Sequence, residues 1–138
     1  MATYSGELRL KTAGDGDTID LTEGVARIVA QAGAGEGTVT VFVPGSTAAV
    51  TTMEFERGGV HDLKATLDRL IPPKRAYEHN RLNQDSNSHA HMRAAIVGPS
   101  ETIPLKEGTL RLGIWQQVVL LDFDDRPRER TVVVSVTS

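Results

Sequence analysis

The sequence predicts an α+β fold with a β-sandwich core. Three observations lead there. Some eight short segments either alternate polar and apolar residues or are rich in Thr, Val, Ile and Leu, the signature of strands. Two longer segments carry an apolar stripe at helical spacing. Clusters of Gly and Pro separate these units. The 138 residues match the size of one domain, expected to span 1–138, and 39% hydrophobic content with 24% charge excludes wholesale disorder.

The elements follow in chain order. Leu8, Leu10 and Thr12 alternate with Glu7, Arg9 and Lys11, which predicts a half-buried strand, and Gly14-Asp15-Gly16-Asp17 predicts a turn. Val25, Ile28, Val29 and Ala32 form one helical stripe, with Thr22 as the expected N-cap and Gly33 as the stop. Residues 38–43 read as a strand, Pro44-Gly45 as a break, and 46–53 as extended. Gly58-Gly59 ends that unit. Val60, Leu63, Leu67, Leu70 and Ile71 then predict a second helix, stopped by Pro72-Pro73. Residues 74–88 are polar, irregular and too long for a plain connection. The short apolar run 92–97 fits a helix or a strand, so two or three helices flank the core. Strands are expected over 102–105, 109–112, 115–123 and 131–136, as a meander or hairpin stack. The run 115–123 is nearly continuous apolar sequence, as in a strand buried on both faces, and Trp115 is expected to anchor the core. Residues 122–130 read as a solvated hairpin tip with exposed ion pairs.

Composition narrows the chemistry. The absence of Cys excludes disulfides, thiolate nucleophiles, iron–sulfur clusters and Cys-bound zinc. A net charge of −3 and a pI near 5.8 argue against nucleic acid as the partner. No apolar run approaches the roughly 20 residues of a membrane span, and no signal peptide is visible, so no membrane partner and a cytoplasmic location are expected.

Metal or proton chemistry must therefore come from His, Asp and Glu, and three of the four histidines lie close together, at His79, His89 and His91. On an extended segment His89 and His91 share a face, whereas on a helix they point about 200° apart. An extended conformation would let both imidazoles hold one ion, with Glu54, Glu56, Asp62 or Asp85 as an oxygen ligand or supporting partner. The plainer reading is a polar loop without a ligand. Glu54 and Glu56 share a strand face and offer a proton carrier, or a solvated edge. The turn Gly98-Pro99-Ser100 offers backbone N–H groups to an anion, and Arg93 a phosphate clamp, unless they are an ordinary turn and a surface arginine. His61, without partners, reads as a surface residue.

The ordered set Tyr77-Glu78-His79, Asn87 through Ser100, Ile103-Pro104, Leu112 through Gln116 and Pro127 through Arg130 resembles the YjbQ-like family, often described as secondary thiamine-phosphate synthase enzymes. The resemblance implies a jelly-roll-type sandwich, a homotrimer, and a metal or active site at His79, His89 and His91. Asn87, Arg93 and Gln116 fall at its motif positions, and Glu54 at its acidic position. These imply transferase chemistry on a phosphorylated small molecule. A divalent ion would polarise phosphate oxygens, Arg93 would neutralise oxyanion charge and Glu54 would move a proton, with Asn87 and Gln116 beside them in the catalytic set and Ser100 of the Gly-Pro-Ser turn as the cofactor-binding residue. Imidazole ligands favour zinc, and a phosphate substrate admits magnesium. The alternative is a non-catalytic trimer that binds a metal or small molecule. One departure stands out: Gly45-Ser46-Thr47-Ala48-Ala49 occupies the place of a family His-Thr-Ser-Ala-Ala, so the family histidine is absent.

Overall fold

In the computed structural model, which describes residues 2–138, the apolar alternation of the strands closes one core between two antiparallel sheets. The larger sheet is ordered β1 (Thr3–Thr12), β8 (Arg128–Thr137), β3 (Gly37–Phe42), β5 (Ser100–Lys106) and β6 (Thr109–Leu110). The smaller is β2 (Asp17–Asp20), β7 (Gln117–Asp122) and β4 (Ala48–Met53). Val39, Val41, Val132, Val134 and Val136 from the first sheet meet Val50, Val118 and Leu120 from the second, and α1 (Thr22–Ala32) adds Val25, Ile28 and Val29. The helix stops where Gly33 turns left-handed (φ 69°) and its N–H returns to the carbonyls of Val29 and Ala30. Thr22 is not the cap. Leu21 holds that position, and the Thr22 hydroxyl accepts the Val118 N–H at 3.0 Å, fastening the helix to β7.

The opposite face of β7 builds a second core. Val119, Leu121, Ala49 and Phe123 pack there against Leu67 of α2 (Arg57–Leu70) and Ala90 and Ala94 of α4 (Ser88–Val97). β7 is therefore buried on both faces, as its continuous apolar sequence predicts. α2 starts earlier than its apolar stripe because the Glu56 carboxylate accepts the N–H groups of Gly58 and Gly59. The glycine pair lies inside the first turn, where a carboxylate favours the helix. The irregular stretch contains a short helix, α3 (Glu78–Asn83), and residues 92–97 belong to a helix rather than a strand. The class is thus α+β, with curled antiparallel sheets and, among the described residues, four helices where two or three were expected. The strand order is not clearly that of a jelly roll. No helix among the described residues is long and apolar enough to cross a membrane.

Two expectations about the C-terminal third are corrected. Trp115 is not a core anchor: it lies in the loop before β7 and is 74% exposed. β7 and β8 do not form a hairpin, because the chain crosses from the smaller sheet to the larger between them. Asp125, Arg126, Arg128 and Glu129 are exposed there, as expected of a charged tip, but three charged residues at the crossing are withdrawn from solvent. Asp122 and Asp124 are fully buried and Arg130 is 9% exposed. Asp122 accepts the Thr12 hydroxyl at 2.5 Å, Arg130 Nε at 2.8 Å and Arg130 Nη2 at 2.9 Å. Asp124 accepts Arg128 Nε at 2.7 Å and the Thr47 hydroxyl at 3.2 Å. Arg130 Nη2 also donates to Thr47 at 2.7 Å. Burial works against the charge of Asp124, but hydrogen bonds from Arg128 and the Asp125 backbone prevail and bring its pKa from 3.8 to about 2.

Breaking a buried pair by removing one partner costs about 3–5 kcal/mol, so Asp122→Ala will lower unfolding stability in urea by about that amount. Because its pKa is depressed in the fold, Asp124 contributes stability that is full above its unfolded value and is lost as pH falls toward about 2. Acid unfolding of Asp124→Asn, followed by circular dichroism, will show a shallower loss of stability between about pH 4 and 2 than the unsubstituted protein.

Candidate functional site

Helical periodicity decides which histidines meet. His89 and His91 lie on α4, not on an extended segment, so they diverge instead of sharing a face. His91 meets His79, which α3 brings from the preceding turn of chain. The two ring centroids are 4.6 Å apart with planes tilted by 54°. Asn87, buried just before α4, sets the His79 ring: its Oδ1 lies 3.1 Å from His79 Nε2. An amide oxygen only accepts, so Nε2 carries the proton and Nδ1 faces the Asn83 amide at 3.5 Å. The Asp85 carboxylate stands 3.9 Å from the same Nε2. Both nitrogens of His79 are thereby engaged. The His91 ring has no hydrogen bond to any described residue and borders an open depression of about 370 Å³ with Gly45, Ser46, Ala48, Met92 and Pro99.

His89 occupies a different environment. It is 3% exposed, and its Nδ1 is sealed from solvent without a partner. Burial and then the positive charge of Arg93 lower its pKa, against the opposing pull of Asp125, Asp15 and Asp124, so the buried imidazole is held neutral. Among the described residues no three His, Asp or Glu side chains converge in a metal-holding group. The expected three-histidine set is accordingly a pair plus a separate, buried third ring.

The remaining expected site residues are dispersed. Arg93 is 3% exposed, and its guanidinium donates to Asp68 at 2.9 Å and to the Ile71 carbonyl at 2.8 and 3.2 Å. That ties the end of α2 to α4. Burial works against the charge of Asp68, but hydrogen bonds from Arg93 and Lys64 hold its carboxyl below the usual range. Gln116 shapes the loop before β7, donating to Thr52 at 2.9 Å and accepting the Gly113 N–H at 3.0 Å. Glu54 is exposed just past β4, and no hydrogen bond joins it to the histidine pair. Ser100 opens β5 opposite Phe42. The turn before it presents carbonyls, not N–H groups: Gly98 and Pro99 accept from Val50 and Val43, and the Gly98 N–H closes α4. His61 is a surface residue, as expected, although its Nδ1 lies 3.2 Å from the equally exposed Asp62 carboxylate.

The comparisons agree with this architecture. The family model described as UPF0047 protein YjbQ-like matches residues 6–138. A UPF0047 protein of Archaeoglobus fulgidus is 41% identical over 128 residues, covering 93% of this chain and 97% of that protein. A second, from Methanothermobacter thermautotrophicus, is 34% identical over 136 residues, covering 99% and 93%. Among solved structures, a YbjQ-like protein of unknown function from Sulfolobus solfataricus superposes with a TM-score of 0.93 at 32% identity, covering 98% of this chain and 96% of that one. A hypothetical protein from Aeropyrum pernix gives 0.91 at 32% identity, covering 98% of both chains. A match of this length, in sequence and in fold together, places the chain in the UPF0047 (YjbQ-like) family.

Proposed function

We propose that the protein acts on a phosphorylated small molecule through proton transfer at His91. One observation carries this reading: an imidazole without a protein partner borders an open depression, and a second imidazole with fixed tautomer stands 4.6 Å behind it. An imidazole titrates near neutral pH, which suits it to both halves of a general acid–base cycle. His79 is the positioning partner. Asn87 and Asp85 hold its ring in place, and its tilted face limits the rotation of His91. The reaction to test first is the one the family resemblance implies, the joining of the two halves of thiamine into thiamine phosphate.

A divalent ion is the cofactor to test, zinc for its affinity for imidazole or magnesium for phosphate oxygens. One chain offers His91 freely and His79 only by giving up a hydrogen bond. The remaining coordination positions would fall to substrate oxygens or to a neighbouring copy. The proton step itself rests on the imidazoles. Assembly into a homotrimer is part of the proposal, supported by large apolar side chains that one copy leaves in solvent, Ile114 at 87% and Trp115 at 74% exposed.

Removing a general acid–base group costs about 10²–10⁴-fold in rate. With thiamine phosphate formation from its two halves as the assay, His91→Ala will lose activity in that range. Asn87→Ala, which frees the His79 ring, will lose less. No product above a no-enzyme control sinks the synthase reading. Metal analysis of untagged protein distinguishes the ligands: His91→Ala will lose bound zinc and His89→Ala will keep it. Zinc retained by His91→Ala would remove this pair from the metal reading. Light scattering of Trp115→Ser will show smaller assemblies than the unsubstituted protein, and a monomeric unsubstituted protein would refute the trimer.

A further inference from the structure

We propose that the free edge of β1 pairs with the same edge of a second copy, antiparallel about a two-fold axis, in a register set by Glu7 and Arg9. β1 ends the larger sheet, and among the described residues it pairs with β8 alone. It runs ten residues without a proline or a break in register, whereas β6, at the other end of the sheet, has two. Long, straight edges of this kind are templates for a further strand. The ladder shows which groups are free. Ala2 and Ser138 exchange both backbone hydrogen bonds, at 3.3 and 3.0 Å. Such pairs alternate along an antiparallel ladder. Tyr4, Gly6, Leu8 and Leu10 therefore bond to β8, and Ser5, Glu7, Arg9 and Lys11 turn their N–H and C=O groups to the open side. These last residues all expose their side chains. An open hollow of about 420 Å³ lies between residues 7–10 of β1 and the start of α1, where Gly24 presents no side chain.

The edge is complementary to itself in one register. Only residues with outward groups can face one another across the new ladder. With Glu7 opposite Arg9 of the second copy, the two-fold repeats the pair as Arg9 opposite Glu7, and Ser5 stands opposite Lys11. Each of these pairs exchanges two backbone hydrogen bonds. Leu8 then meets its own counterpart on the axis, at a position not hydrogen-bonded across the new ladder, where side chains stand closest. In one copy Leu8 is only partly buried against the core, so the pairing adds apolar cover. The neighbouring registers fail. Sliding one strand by two residues in either direction sets Glu7 against Glu7 or Arg9 against Arg9, and like charges directly opposite are destabilising. Within one chain Glu7 and Arg9 are loosely paired, 3.9 Å apart and both exposed, so each is free to take a partner across the axis. The interface uses the same patch on both copies and closes on two of them, so it does not propagate into a fibre. It does not involve Ile114 or Trp115 and stands whether or not the trimer does.

The test measures amide hydrogen exchange and, by sedimentation, the mass of the full chain. In the unsubstituted protein the Glu7 and Arg9 amides are expected to exchange about tenfold or more slower than free exposed amides, with protection that falls on dilution. Arg9→Glu, an exposed substitution that sets acid against acid, is expected to remove that protection and halve the mass with its melting transition retained. The exchanged pair Glu7→Arg/Arg9→Glu brings opposite charges together again and is expected to restore both. Free exchange of the two amides in the unsubstituted protein overturns the proposal, whatever other strand the edge accepts. An Arg9→Glu protein with unchanged mass and protection overturns it as well, and so does a folded exchanged pair that stays dissociated. Trp115→Ser is expected to keep the protection even where it makes the assembly smaller, and protection lost together with the trimer would overturn the two-fold pairing.

Discussion

The architecture depends on one buried electrostatic device, the pairing of Asp122 and Asp124 with Arg130 and Arg128. Isolated carboxylates cannot lie in a protein interior without compensation, because the loss of hydration far exceeds any packing gain. Here the compensation comes from four separate stretches of chain: Thr12 at the end of β1, Thr47 before β4, the end of β7 and the start of β8. The four must arrive together for any of the charges to be tolerated. The device therefore holds the point where the chain passes from one sheet to the other, and with it the mouth of the sandwich. Through Thr47 it also places the neighbouring Gly45, Ser46 and Ala48, which form one wall of the depression beside His91. Scaffold and site share this fastening.

The second determinant is the position of β7 between two cores. With apolar side chains on both faces, it orders α1 on one side and α2 and α4 on the other. The seating of α4 through Ala90 and Ala94 sets the rotation of that helix. Its rotation then sends His91 toward solvent and the depression, and His89 into the interior. The division of labour between two histidines only two residues apart follows from packing.

Much of this was legible in the residues. The apolar stripe of α1, the stop at Gly33, the stretch at the centre of β7 and the apolar part of β8 over 131–136 follow from local pattern, whereas β8 begins earlier, at Arg128. What local pattern could not supply was pairing across long separations. Residues 122–130 look like a charged hairpin tip because four acids and three bases normally belong in water. The burial of Asp122 and Asp124 depends on Thr12 and Thr47, 110 and 77 residues away from them. Arg93 resembles a phosphate clamp until α2 delivers Asp68 and the Ile71 carbonyl to it. Trp115 resembles a core residue because the strand that follows is one, yet the loop held by Gln116 turns it outward. The histidine neighbourhood was recognisable by composition. The conformation of residues 88–97 was not, since the run is short and its apolar residues fit either period.

α3 is joined to the rest of the molecule without a single buried residue of its own. It is held by polar contacts, the His79–Asn87 bond and the bond from the Ser88 N–H to the Asn80 side-chain Oδ1 among them. Segments fastened in this way open at free energies far below that of global unfolding. Half of the histidine pair consequently rides on a segment of low local stability, while the other half is seated on the core. Heat or mild denaturant will dismantle the pair before the sheets begin to separate, so the endurance of the site is set by a few hydrogen bonds and not by the strength of the sandwich beneath it.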